Sequence, residues 1–140
     1  MSMNKGKERR RIIPIPATAG DVAYTLSPSC GKKWKILRAY ITIVCNATSV
    51  TRFFGWMVTD KDGNITEWLG QGHDITASQS GYSCLCCVHE LINAKFDVDV
   101  DGIGINDLVL VGDEKLQLML GSGVAGDTYS GYVVVLESKD

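Results

Sequence analysis

Histidine is nearly absent from this 140-residue sequence: His73 and His89 are the only two, so acid–base chemistry near neutral pH has few groups to work with. No apolar run approaches the roughly 20 residues of a membrane-spanning helix. The first apolar stretch, Ile12 to Pro16, is broken by two prolines and is too short for the core of a signal peptide. The five cysteines (30, 45, 84, 86 and 87) are odd in number and contain no CxxC. They read as small buried hydrophobes of a reducing compartment, neither disulfides nor metal ligands. In such a compartment the sequons Asn46-Ala47-Thr48 and Asn64-Ile65-Thr66 carry no weight. Helical period is missing as well, although Cys87 to Ala94 has room for one helical turn.

Period two is what the chain has instead. Phe96, Val98 and Val100 alternate with Lys95, Asp97 and Asp99, and Leu116, Leu118 and Leu120 alternate with Lys115, Gln117 and Met119. Successive strand side chains point to opposite faces, so each segment offers one face to a core and one to water. In Trp34 to Cys45, the longest β-rich run, Leu37, Ala39, Ile41, Ile43 and Cys45 form an apolar face, while Ile36, Arg38, Tyr40 and Thr42 form a mixed one. Arg38 and Tyr40 are thereby expected to face outward or into an interface. Asp62-Gly63 marks a hairpin between an aromatic strand, Arg52 to Thr59, and Ile65 to Leu69. Gly70 to Gly81 reads as a loop. The expected fold is all-β: a single antiparallel sandwich, jelly-roll-like, of roughly eight to ten strands. At this length one domain buries roughly 68–70% of the surface of its unfolded chain.

Charge is unevenly distributed. Residues 1–11 hold Lys5, Lys7, Arg9, Arg10 and Arg11 against Glu8, a net of +4 in a chain of net −2, which leaves the remainder at −6. A basic segment poor in apolar residues reads as a flexible arm, so residues 1–16 are assigned to an arm and residues 17–140 to the sandwich. Such an arm suits an acidic neighbour, and nucleic acid through residues 5–11 is the less favoured partner. The bland reading is a solvated terminus. Ile13 and Ile15, between prolines, are expected on a sheet edge or packed across a neighbouring subunit.

Chemical motifs are weak. Asp97-x-Asp99-x-Asp101-Gly102 resembles the start of a calcium loop, but the position that needs a bidentate glutamate is Leu108. Alternating aspartates on the wet face of a strand explain the same letters. Cys84, Cys86, Cys87 and His89 are the right elements for zinc, yet a strand sends Cys84 and Cys86 to one face and Cys87 and His89 to the other. His73 with Ser78 makes a hydrolase only on paper, since no nucleophile elbow accompanies them. Trp34, Trp56, Trp68, Tyr40, Phe53 and Phe54 suit either a core or a stacking and docking surface; exposure of Trp56 and Trp68 favours sugar binding, burial of both a structural role.

Four segments together resemble a known group. Ala17 to Leu26, Gly31 to Leu37 with its Gly31-Lys32-Lys33-Trp34 turn, Leu108 to Leu116, and the closing Ala125 to Glu137 with its Val133-Val134-Val135 run are similar to segments of small β-sandwich structural proteins of tailed-virus particles. The resemblance implies a non-enzymatic virion protein, made in the host cytoplasm, that decorates or reinforces the head or joins head to tail or fibre parts. It implies a trimer or other homo-oligomer, contact with a major capsid or connector protein, and no cofactor. Lys5, Lys7, Arg9, Arg10, Arg11, Ile13, Ile15, Arg38, Tyr40, Trp56 and Trp68 are the expected interaction residues. The alternative is a carbohydrate- or receptor-binding module.

Overall fold

The structure is a computed structural model describing residues 7–72, 74–87, 100–105 and 107–140, with the backbone alone at residues 87 and 100–102. Its strands are β1 (Arg9–Ala19), β2 (Tyr24–Leu26), β3 (Lys32–Val44), β4 (Phe53–Thr59), β5 (Ile65–Gln71), β6 (Ser80–Cys87), β7 (Val100–Ile105), β8 (Val109–Leu110), β9 (Lys115–Gly121) and β10 (Thr128–Lys139). One sheet runs β1-β10-β3-β6-β7, with β8 also on β3, and the other runs β2-β9-β4-β5. With β7 and β8 set aside as an insertion, the two orders are the interleaved four-strand sheets of a jelly roll, in which the chain wraps as paired Greek keys. The fold is therefore the all-β sandwich that the period-two pattern predicts, with one exception to the antiparallel rule: β6 and β7 pair in parallel.

The core lies between the sheets. Leu116, Leu118 and Leu120 of β9 face Ile36, Ala39, Ile41 and Ile43 of β3, and Val133 and Val135 of β10 close the layer. Full burial of each such aliphatic side chain contributes about 1.5–3 kcal/mol. In β3 the sequence reading needs a correction. Val134 pairs with Arg38 but Val135 pairs with Ile36, so Leu37 is an extra residue, a β-bulge. A bulge reverses the alternation, and Ile36 enters the core in place of Leu37 while Ala39, Ile41 and Ile43 keep their inward positions.

The arm is corrected too. Residues 9–19 form β1, paired with β10 from Arg9↔Glu137 to Ala19↔Thr128. Ile15 is buried in the core and Ile13 packs against it, so neither serves as an exposed contact. Arg11 Nη1 and Trp34 Nε1 both donate to Glu137 Oε2 at 2.8 Å, tying β1 and β3 to β10. The Trp34 bond, aided by Arg11 and opposed by partial burial, holds the Glu137 carboxyl below its usual range. The basic letters mislead because their charges leave the strand while Ile13 and Ile15 enter it. Truncation through residue 16 is accordingly expected to destabilise the fold by at least about 3 kcal/mol, which a denaturant melt of full-length and truncated chains measures.

Candidate interaction surface

The outer face of the six-stranded sheet gathers several of the expected contact residues. Register places Arg10, Leu136, Lys35 and Val109 in one row across the strands, then Ile12, Val134, Arg38 and Cys86, then Pro14, Tyr132, Tyr40 and Cys84. Tyr40 stacks on Tyr132 with centroids 6.1 Å apart and on Tyr82 at 6.0 Å, at interplanar angles of 28° and 24°. The three rings stand face to face on neighbouring strands, so their faces are used on each other and their rims point to solvent. Ile12 is 64% and Tyr132 38% exposed beside them. Burial raises the Tyr40 hydroxyl above its ordinary pKa, so at neutral pH it remains a hydrogen-bond donor. Exposed apolar area, tyrosines and an arginine with no carboxylate partner among the described residues make the composition of an interface centre. Lys35, by contrast, is paired with Asp107 at 3.4 Å.

Strand addition is discouraged at the edges formed by β1, β2 and β5. Pro14 has no N–H and sits in an edge strand with its nitrogen turned to the open side. Arg10 and Ile12 share its phase, so prolines cut short the row of donors on the free edge of β1. A register shift between Ile15 and Thr18 distorts that edge further. In the other sheet β2 is three residues long and β5 carries two register shifts against β4. Short, bulged or proline-bearing edges resist edge-to-edge pairing, which disfavours association through these three.

One end of the sandwich is locked by a feature that sequence reading missed. Arg52 and Asp127 are both fully buried. Arg52 Nε and Nη2 donate to Asp127 at 2.9 and 3.0 Å, Nη1 to the Thr48 and Val50 carbonyls at 2.9 and 2.7 Å, and Nη2 also to Asn46 Oδ1 at 2.9 Å. The backbone N–H groups of Asn46 and Val124 complete the carboxylate at 2.8 and 3.0 Å. Gly20 N–H donates to the Asp127 carbonyl, and Arg52 exchanges backbone bonds with Ile75. Four connections, β1–β2, β3–β4, β5–β6 and β9–β10, thus meet at one ion pair. Asn46 is built into this lock, an obstacle to modification at its sequon. Ser78 joins it by donating its backbone N–H to the Asn46 carbonyl, so the segment after β5 is a pinned connection shorter than the loop expected over 70–81.

The remaining expectations sort as follows. Arg10, Arg38 and Tyr40 share the outer face just described; Lys7 and Arg9 are exposed near the start of β1. Trp56 is 0% exposed and donates to Ser83 Oγ at 2.7 Å, so it is a core residue and no contact. Trp68 lies on the other sheet, 45% exposed, and the two tryptophans therefore divide between the alternatives. Lys5, His73, His89, Asp97 and Asp99 lie outside the described residues, as does the Asp101 side chain. Cys45, Cys84 and Cys86 are buried as expected, the last two on one strand face, whereas Cys30, also expected to be buried, is exposed in a turn. Among the described residues no group of three or more potential metal ligands converges. No family model matches the sequence, and no curated protein matches it.

Proposed function

We propose that the protein is a non-enzymatic structural subunit that assembles with itself through the outer face of its six-stranded sheet, in the role that its resemblance to tailed-virus particle proteins implies: decorating or reinforcing the head, or joining head to tail or fibre parts. The observation that supports this reading is the coincidence, on one jelly roll, of blunted β1, β2 and β5 edges with a Tyr40–Tyr132–Tyr82 strip, half-buried at Tyr40 and Tyr82 and exposed at Tyr132, flanked by Arg38 and the exposed Ile12. A subunit that discourages strand addition at three of its edges and keeps aromatic area in solvent has a face to cover, and self-complementary or ring-forming contacts cover it. Arg38 and Arg10 give that face a positive rim suited to an acidic capsid or connector surface.

Light scattering on the full chain at micromolar concentration tests it. The wild type is expected to be a homo-oligomer, and the Arg38→Glu/Tyr40→Glu variant to associate at least about thirtyfold more weakly, the effect of losing an interface centre worth about 2 kcal/mol. A melting curve for the variant separates lost assembly from lost folding. A wild type that stays monomeric and binds no particle protein overturns the proposal.

A further inference from the structure

The outer face of the four-stranded sheet has different chemistry. Its register rows bring Phe53 beside Gly121, Met119 beside Gly55 and Gln71, and Gln117 beside Met57 and Trp68. Phe53 and Trp68 both occupy space vacated by glycine. The Phe53 ring covers the position that a Cβ on Gly121 would take, and the Trp68 ring edge comes within 2.8 Å of a Cβ on Gly55. The glycines therefore form a floor on which the two aromatic side chains settle. Among the described residues neither is stacked against another ring, unlike the tyrosines of the opposite sheet, so ring surface remains for a ligand. Lys115, at one end, is the only charged residue in these rows.

We propose that this face is a binding platform for a neutral saccharide chain, with Trp68 as its principal stacking residue and Phe53 as a second. Aromatic faces carry partial negative charge and attract the polarised C–H groups of a pyranose. Phe53 and Gly55 are two residues apart on β4, roughly 7 Å, a separation on the scale of successive sugar rings. Amides supply the directional contacts: Gln71 is exposed in the row of Gly55, and Gln117 Nε2 donates to Met57 Sδ at 3.6 Å, a weak acceptor that a sugar hydroxyl can replace. With Lys115 the one charge in the rows and the carboxylates of Glu67 and Asp107 lining the cleft beside Trp68, an anionic ligand is disfavoured and a neutral one accommodated. Phe53 and Trp68 belong to the four-stranded sheet, and stacking on them does not require assembly through the other.

Tryptophan fluorescence isolates the site, because Trp34 is 4% and Trp56 0% exposed while Trp68 is 45% exposed, so a soluble quencher such as acrylamide reaches Trp68 first. Maltohexaose, cellohexaose and chitohexaose are each titrated to millimolar concentration into the full chain. At least one is expected to shift the emission and protect it from acrylamide. Isothermal calorimetry with that sugar is expected to show binding weakened about tenfold or more in Trp68→Ala and largely retained in Trp68→Tyr, with both variants keeping the wild-type melting curve and oligomeric state. Three sugars that leave emission and quenching unchanged overturn the proposal, as does undiminished binding by Trp68→Ala. A change of oligomeric state in Trp68→Ala overturns it in favour of a protein interface on this face.

Discussion

Replacing Arg52 with alanine is expected to remove about 3–5 kcal/mol of folding stability, because it leaves the Asp127 carboxylate buried without its cation. For a chain of this size that corresponds to a fall of roughly 10–20 °C in Tm, read by circular dichroism. The loss extends beyond the pair, since the guanidinium also holds the Thr48 and Val50 carbonyls and the Asn46 side chain. Converting both partners to apolar residues of similar volume is expected to recover much of the loss, because the penalty comes from the stranded charge. Acid probes the same lock. Burial alone raises the Asp127 carboxyl, but hydrogen bonds from Arg52 and from the Val124 and Asn46 amides outweigh it and hold the group below its usual range. A folded pKa lower than the unfolded one stabilises at pH above the unfolded value, and that stability is lost as pH falls through the folded value. Melts from neutral pH to about pH 2 should therefore show a steep acid limb, flattened in Asp127→Asn, which starts from a lower Tm.

Gly131→Ala is the second large effect expected. Gly131 lies mid-strand in β10, paired with Ile15 on one side and Ile41 on the other. A Cβ there would collide with the Tyr40 carbonyl oxygen and approach Ile41 Cα to 3.0 Å. Both are backbone atoms of the central strand, so no rotamer change relieves the clash and β10 must part from β3. The expected cost is about 3 kcal/mol, the upper end for overpacking, and loss of the Tyr40–Tyr132 stack should accompany it. Gly63 makes the control: its φ is 84° in an open turn with nothing within 4 Å of a Cβ. Gly63→Asn is expected to stay within about 1 kcal/mol of wild type, since asparagine tolerates left-handed backbone. Urea melts of both variants decide it.

Period two made β9 legible residue by residue, because Leu116, Leu118 and Leu120 alternate without interruption and no bulge intervenes. In β3 the same rule was right for Ala39 to Ile43 and wrong for Leu37, since a bulge leaves no mark in the letters. Trp56 was decidable in principle: it shares phase with Phe54 and Val58, and all three face the core, whereas Phe53 and Met57 do not. For β1 the alternation of Ile13 and Ile15 was a strand signal that the neighbouring arginines outweighed. The Arg52–Asp127 lock had no local signature. Its partners are 75 residues apart, and only the three-dimensional meeting of four connections reveals why an arginine stands beside Phe53 and Phe54. The outer faces were half legible: Arg38 and Tyr40 were predicted outward, but the assembly of Tyr82, Tyr40 and Tyr132 into one strip depends on strand order.

Arg9 pairs with Glu137, and the Asp140 amide donates to the Gly31 carbonyl, so the start of β1 and the end of β10 lie side by side, opposite the Arg52–Asp127 lock. A short linker can join them without crossing either sheet, and the exposed turn from Asp60 to Asn64 then offers a place to open new ends. A circularly permuted version of this domain would join β1 to β10 at that pole, away from the lock.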